Sequence, residues 1–285
     1  MCRLLGVSPS SYYAWLKWKP SARGRRDLEM LELIRQIHKE TDGIYGAPRI
    51  WAELRYGHGI RCARKRVARL MHDDGLRGVC RRRRHGCTKR ADSYEPYPDL
   101  VGRDFRAVAP NRLWVADLTE HPTVEGKLYL ASVIDAYSRR VVGWAMSARA
   151  TADFAREALN MALHRRQPEG QLIHHSDHGC QYTATAYTER MSKAGLLGSM
   201  GTVGDALDNA VAESFYASLQ TELLDRRQWQ SRSQLRTAVF GYIEGFYNRR
   251  RRHSKLGYLS PVEFERESAA QRPKQDAAAL NVATT

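Results

Sequence analysis

The stretch HHSDHGCQY, residues 174–182, gathers side chains that commonly bind metal ions. His174, His178 and Cys180 carry nitrogen and sulfur ligands that suit zinc. Asp177 carries carboxylate oxygens, which suit hard cations such as Mg²⁺, an ion that also uses substrate phosphates as ligands. The two possibilities imply different proteins.

The spacing of these residues disfavours zinc. His174 and His178 are four residues apart, but they lie on either side of a strand end and a glycine turn rather than on one helix face. Cys180 has no second cysteine near it, and Cys80 and Cys87 flank arginines that would repel a cation. We therefore expect the histidines to pack and hydrogen-bond around a strand end, or to position a substrate phosphate.

Three carboxylates favour a hard cation instead. Asp117 lies in WVADLT, an otherwise apolar strand, where a charge costs free energy unless it is paired or binds metal. Asp177 lies where a later strand ends, and α/β proteins place ligands at the carboxyl ends of strands. Glu213 lies in DNAVAESFYASL, whose apolar residues provide contacts that allow the glutamate to point along the helix side facing the sheet. Each acid alone could be a surface charge or a charge at a helix N-terminus, but together they predict a divalent-metal site.

The hydrophobic pattern from about residue 110 onward predicts the elements that carry these acids. The order β-β-β-α-β-α-β-α indicates an α/β domain with a mixed five-stranded sheet and helices on its faces. A long closing helix follows. The predicted strands are 112–120, 127–136, 139–147, 171–177 and 196–202, and the predicted helices are 151–166, 183–195, 208–227 and 233–253.

The first 90 residues have a different pattern, that of a small all-helical region. Helical segments are predicted in 4–18, 25–43, 47–59 and 63–75. The last two are short, surround a glycine-containing turn and end in a basic helix, which is typical of a helix-turn-helix. We expect DNA contacts from the basic side of that helix and from the arginine run that follows. These residues are Arg64, Lys65, Arg69, Arg81, Arg82, Arg83 and Arg84.

The distribution of charge supports a nucleic-acid partner. The net charge is +15, and residues 1–90 hold 22 Lys and Arg against 8 Asp and Glu, while the remaining 195 hold 24 against 23. One-sided loading of this kind favours phosphate contact over an ordinary solvated surface. No apolar run is long enough for a membrane span, no signal peptide is visible, and five scattered cysteines suit a reducing compartment. We expect a cytoplasmic, DNA-associated protein that does not enter membranes.

These motifs together carry a family resemblance. With 35 residues between Asp177 and Glu213, and WVADLT upstream, the chain resembles retroviral-integrase-like transposases with an Asp-Asp-Glu triad. More specifically, it resembles the downstream-frame (OrfB) product of bacterial insertion sequences that make their transposase by frameshifting between two frames. The blocks YGAPRIWAELR, LYLASVIDAYSRRVVGWAMS, HSDHGCQY, DNAVAESF and YNRRRRHSKLGYLSPVEFE carry the likeness, which covers about residues 1–266.

The resemblance implies a ribonuclease-H-like core that cleaves DNA at the element end and joins the freed 3′-hydroxyl to a second DNA. It implies that Asp117, Asp177 and Glu213 are catalytic and hold Mg²⁺ or Mn²⁺, two ions in all. We further expect support for this site from Trp114, His175, Gln181 and Asn209, and further DNA contacts from Gln220, Arg249, Arg250 and His253.

The chain departs from the family at Gln220, where the family often has a basic residue seven positions after the glutamate. Glutamine can hydrogen-bond a phosphate but cannot neutralise it. The half helix-turn-helix at the start of the chain fits a product read in fusion with an upstream frame. We therefore expect an upstream-frame protein or a frameshift fusion as partner, and a homo-oligomer that brings two DNA ends together.

The residues leave two alternatives open: a ribonuclease-H-type nuclease without strand transfer, and a decayed DNA-binding remnant. For the domains we predict a DNA-binding region at 1–90, a linker at 91–109 that is rich in Pro, Asp and Tyr, a catalytic core at 110–268, and a disordered tail at 269–285.

Overall fold

The structure is a computed structural model that describes residues 2, 4, 6–17, 21–80, 97–201 and 209–282, with side chains up to residue 271. The chain divides into two compact units, Met1–Val79 and Cys80–Thr285. None of the helices in the described ranges is both long enough and apolar enough to cross a membrane.

The first unit is helical, as predicted. The helices span Pro9–Leu16 (α1), Ala22–Glu40 (α2), Ala47–Tyr56 (α3) and Arg64–Asp73 (α4). Helices α2, α3 and α4 pack around buried apolar side chains that include Ile34, Ile50 and Val67. Helix α1 begins after Ser8, whose side chain accepts a hydrogen bond from the Ser11 N–H, and it buries none of its residues.

The second unit is built on a mixed five-stranded sheet, which confirms the predicted fold class. The strands span Leu113–Thr123 (β1), Gly126–Asp135 (β2), Val141–Ser147 (β3), Ile173–Ser176 (β4) and Leu197–Met200 (β5). Their order in the sheet is β3-β2-β1-β4-β5, with β2 antiparallel to β1 and to β3, β4 parallel to β1, and β5 parallel to β4. The helices span Ala152–Arg166 (α5), Cys180–Thr183 (α6), Thr185–Lys193 (α7), Ala210–Glu222 (α8), Arg232–Phe240 (α9) and Pro261–Val282 (α10).

Alternating side chains on β1 feed two hydrophobic cores, one on each face of the sheet. Leu113 and Val115 belong to the core that also contains side chains of α8 and α9. Trp114 and Ala116 belong to the core that also contains side chains of α5, α6 and α7. The same alternation places the next residue, Asp117, on the face covered by α8.

The structure differs from the predicted linker at 91–109. Residues 91–96 lie outside the described ranges, but Val101 and Phe105 are buried in the core beneath α8, and the Leu100 N–H donates to the Ser199 hydroxyl at 2.9 Å. The Pro-, Asp- and Tyr-rich composition predicted a linker because these apolar side chains are isolated among polar residues. The segment contributes to both cores, since Tyr97 packs against the core on the opposite face of the sheet.

Two helix predictions also need correction. The long helix predicted at 233–253 is α9 followed by a π-helical segment, Gly241–Tyr247, because two glycines weaken the α-helical preference there. The tail predicted to be disordered from residue 269 continues as α10 to Val282. Its alanines and glutamines are strong helix formers, whereas the prediction of disorder considered only the polarity of the segment.

Candidate active site

Two neighbouring parallel strands bring Asp117 and Asp177 to the same level of the sheet. β1 and β4 are neighbours with Val115 opposite His175. Asp117 lies two residues after Val115, and Asp177 lies two residues after His175, so the two strands place their aspartates at the same level. This is the carboxyl end of β4, the position that the sequence predicted for a ligand.

Glu213 reaches the same region from another element. It lies in the first turn of α8, is exposed, and belongs to a helix that packs on β1. The charges of Asp177 and Glu213 both act on Asp117. The three predicted acids therefore face one region, although no three His, Cys, Asp or Glu residues among those described lie close enough to hold one metal ion together.

Electrostatics sets the two aspartates apart from ordinary surface acids. The pKa of Asp117 is raised to about 7, mainly by burial and then by the negative charges of Asp177 and Glu213, while the Leu118 N–H, which donates to its carboxylate at 2.7 Å, opposes the rise. Desolvation also raises the pKa of Asp177, against the Gly179 N–H at 3.1 Å and the nearby histidines. No lysine or arginine among the described residues pairs with either aspartate. Two acids placed together in this way attract a cation.

Two side chains, one at the N-cap of α8 and one in the middle of the helix, bind the main chain beside Asp117. The Asn209 amide donates to the Ala116 carbonyl oxygen at 3.3 Å. The Tyr216 hydroxyl donates to the Asp117 carbonyl oxygen at 2.6 Å and lies 2.8 Å from the Ser132 hydroxyl. Asn209 was predicted as a supporting residue, whereas Tyr216 was not. The sequence could have indicated Tyr216, because it lies three residues after Glu213 and therefore on the same side of the helix.

The histidines of the 174–182 stretch hold neighbouring elements. His174 is fully buried, accepts or donates a hydrogen bond with the Tyr187 hydroxyl at 3.0 Å, and has its pKa lowered to about 4 by burial. The Nδ1 atom of His175 lies 2.9 Å from the Ser199 hydroxyl, and its ring meets Phe105 edge-on. His175 thus ties β4 to β5 directly before Asp177.

The other supporting residues have different roles. Trp114 is fully buried in the core beneath α5, on the opposite face of the sheet from Asp117, so it supports packing rather than the acids. The Gln181 amide lies 3.4 Å from the Ala150 carbonyl oxygen and connects α6 to the start of α5. Tyr182 is buried, and its hydroxyl has no hydrogen-bond partner among the described residues.

In the first unit, the predicted DNA contacts fall into two groups. Lys65 is exposed, and the exposed Arg64 guanidinium lies 4.3 Å from the centre of the Trp51 ring. Arg69 is half exposed but forms ion pairs with Asp27 at 2.8 Å and with Asp73 at 3.3 Å. Its charge is therefore already partly neutralised. The predicted run Arg81–Arg84 lies outside the described residues.

In the second unit, the predicted DNA contacts near the C-terminal helices also differ among themselves. Arg249 and Arg250 are exposed, whereas His253 is 8% exposed and packs edge-on against Tyr247 at 4.8 Å. The His253 ring therefore packs in the interior of this unit, and the DNA contact predicted for it stays a prediction. Gln220 lies two turns after Glu213 on α8 and donates a hydrogen bond to Asp225.

A mixed sheet of this strand order, with acids on β1, after β4 and on α8, defines a protein of the integrase-core class. Two family models described as integrase core domains match residues 107–206 and 213–268, and one described as an HTH-like domain matches residues 25–84. The chain is 37% identical over 284 residues to the transposase for insertion sequence element IS629 of Shigella sonnei, which covers 98% of this chain and 95% of that one. It is 39% identical over 272 residues to transposase InsF for insertion sequence IS3A of Escherichia coli (strain K12), covering 95% and 94%. The chain belongs to the family of insertion-sequence transposases that includes these two proteins.

Among solved structures, the HTLV-2 integrase catalytic core domain in complex with magnesium is similar over 56% of this chain and 99% of that one, with a TM-score of 0.42 and 16% identity. The Mos1 transposase catalytic domain is similar over 48% and 72%, with a TM-score of 0.40 and 17% identity.

Proposed function

We propose that this transposase cleaves DNA at the 3′ ends of its insertion sequence and joins those ends to target DNA, using Asp117, Asp177 and Glu213 with Mg²⁺ or Mn²⁺. The observation that carries the proposal is the register of β1 and β4, which puts two aspartates at the same level of two neighbouring strands, with the charge of a glutamate from α8 acting on Asp117. No lysine or arginine among the described residues neutralises the two aspartates.

The residues fit a hard divalent cation. Their donors are carboxylate oxygens, and burial together with the charges of Asp177 and Glu213 raises the pKa of Asp117, an arrangement that a bound cation would stabilise in its ionised form. The three acids are not gathered closely enough to share one ion in the described residues, so we infer that one or two of these carboxylates would hold each ion together with phosphates of the DNA. Bound divalent ions supply activation of the attacking oxygen and stabilisation of charge at phosphorus.

The proposed reaction has two steps of the same chemistry. In the first, a water oxygen bonds to phosphorus, the bond from phosphorus to the 3′ oxygen of the element end breaks, and that end is released as a 3′-hydroxyl. In the second, this hydroxyl attacks a phosphodiester of the target, whose own 3′ oxygen leaves. The acids keep the reacting groups in line, and no covalent protein intermediate is needed.

DNA is held, in this proposal, by the first unit and by the exposed arginines of the second. Lys65 and Arg64 on the basic helix, together with Arg249 and Arg250, offer cations to phosphates. Gln220 can offer only a hydrogen bond. The upstream-frame partner and the homo-oligomer remain predictions from the sequence.

The test is a labelled duplex that carries the element's own end, incubated with the chain and Mg²⁺ or Mn²⁺. We expect metal-dependent cleavage and joined product from the wild type and from Glu189→Gln, a control that removes an exposed carboxylate of α7. Glu213→Gln should give neither. Cleavage without joining would support a nuclease, and no reaction with or without the upstream-frame product would support a decayed remnant.

A further inference from the structure

The Tyr216 hydroxyl stands at the junction of three elements. It donates to the Asp117 carbonyl oxygen at 2.6 Å and lies 2.8 Å from the Ser132 hydroxyl, and the Leu130 carbonyl oxygen is more distant at 3.4 Å. Ser132 is buried and lies directly opposite Asp117 in the ladder between β1 and β2. One hydroxyl of α8 therefore contacts both strands at the level of the aspartate.

The direction of these hydrogen bonds follows from the number of protons. A tyrosine hydroxyl has one proton to donate, and the short contact with the Asp117 carbonyl oxygen uses it. The Ser132 hydroxyl must then donate to the Tyr216 oxygen. The result is an ordered chain from Ser132 through Tyr216 to Asp117, which fixes the tyrosine ring in one place.

The position of Tyr216 on α8 links this chain to Glu213. Side chains three residues apart are neighbours on a helix surface, so the point at which Tyr216 is held determines the height of Glu213 along β1. The Asn209 amide adds a second, longer bond to the preceding carbonyl, that of Ala116, at 3.3 Å. α8 is thus registered on consecutive carbonyls of the strand that carries Asp117.

We propose that Tyr216 is a positioning residue that sets the separation of Glu213 from Asp117 and thereby the affinity of the site for its divalent ion. This inference rests on the proposed function, since it assumes that both acids bind metal. The hydroxyl acts through the main chain of Asp117 and through the helix that carries Glu213, and it touches neither metal nor DNA.

The test uses two measurements on the full chain. Mn²⁺ binding without DNA is monitored by the electron paramagnetic resonance signal of the free ion. The rate of end cleavage is then measured as a function of Mn²⁺ concentration. Tyr216→Phe should raise the half-saturating Mn²⁺ concentration by roughly tenfold, as loss of a hydrogen bond that orients a ligand does. Cleavage at saturating Mn²⁺ should fall much less. This split between affinity and maximal rate distinguishes positioning from general loss of structure.

The matched control is Tyr187→Phe, which removes a buried tyrosine hydroxyl bonded to His174 at 3.0 Å on the other face of the sheet. It should lower the melting temperature comparably while leaving Mn²⁺ affinity within about twofold of the wild type. Ser132→Ala keeps the tyrosine but removes its donor and should give a smaller shift of the same sign. If Tyr216→Phe does not fold, the Mn²⁺ affinity of Ser132→Ala tests the positioning role instead.

Equal Mn²⁺ affinity in Tyr216→Phe and Tyr187→Phe would overturn the positioning role while leaving the proposed function intact. Wild-type chain that binds Mn²⁺ no more tightly than Glu213→Gln would overturn the metal site itself, and with it both proposals.

Discussion

The two ends of α8 treat negative charge in opposite ways. Glu222, in the last turn, is buried and receives two hydrogen bonds from Arg251, at 2.7 and 2.6 Å, and one from the Tyr242 hydroxyl at 2.8 Å. Glu213, in the first turn, is exposed, and its charge helps to raise the pKa of Asp117. One end pairs a carboxylate with a cation of the chain, whereas the other gathers carboxylates together.

This difference separates what stabilises the fold from what the fold is built to bind. A buried ion pair contributes little compared with a well-packed apolar pair, but removing one partner leaves a charge without compensation. Carboxylates held together cost stability until a cation arrives. Substitutions at the Glu222 end should therefore change stability, and those at the Glu213 end should change metal-dependent activity.

The largest effect is expected from the aspartates. Asp117→Asn or Asp177→Asn should each reduce cleavage and joining by roughly 10³-fold or more, because the acids act as one unit. DNA affinity should be nearly unchanged. The measurements are end-cleavage rates at saturating metal and fluorescence anisotropy with labelled duplex. Asp153→Asn, at an exposed aspartate of α5, is the control. Loss of DNA binding in both site variants would show that these acids serve folding.

The next largest effect concerns the paired end of α8. Arg251→Met should lower the free energy of unfolding by about 3–5 kcal/mol, since it leaves Glu222 buried without its partner. Replacing both residues, in Glu222→Leu with Arg251→Met, should recover much of that loss. Urea denaturation measures both.

The control for this prediction is Arg156→Met, which breaks the exposed pair with Asp153 and should cost less than about 1 kcal/mol. A loss in Arg251→Met no greater than this one would remove the distinction drawn between the two ends of α8.

A smaller effect should appear in metal-free protein. The pKa of Asp117 rises from 3.8 to about 7 on folding, so the folded state holds its proton over a range where the unfolded state has lost it. The contribution of Asp117 to the free energy of unfolding is therefore fully present below pH 4 and is lost as the pH rises through 7. Asp117→Asn does not titrate, so its stability does not fall in this way. In EDTA it should be more stable than the wild type by about 2 kcal/mol at pH 8, after allowance for partial exposure, with little difference near pH 4. Urea denaturation across this pH range measures the difference, and a constant one would contradict the assignment.

The acids could be predicted from sequence because their positions depend on local pattern. Asp117 interrupts an apolar strand whose alternation fixes its face, and Asp177 follows a second strand by the same rule. The structure adds the parallel pairing of these two strands, which brings the two aspartates close together. The family resemblance pointed to the same residues, so the local pattern and the resemblance agree on both aspartates.

The ion pairs could not be predicted, since they join residues far apart in sequence. The arginine run at 249–252 has the composition of a solvated basic patch, but Arg251 meets Glu222 29 positions earlier and is buried with it. His253 turns inward with it. In the first unit, Asp27 neutralises Arg69 from 42 positions away. Charge runs give the amount of positive charge, and only the fold decides which part of it is available to DNA.

The smallest effect extends the contrast between paired and unpaired charge to DNA binding. Lys65 is exposed and has no ion pair among the described residues, whereas Arg69 pairs with Asp27 and Asp73. Lys65→Ala should reduce the slope of log affinity against log salt by about 1, since one phosphate contact is lost. Arg69→Ala should reduce that slope less, because its charge is already partly compensated within the unit. Anisotropy titrations with one duplex at several salt concentrations measure both slopes. An equal reduction in Arg69→Ala would mean that DNA displaces Asp27, and that an ion pair in the free protein does not exclude a cation from the interface.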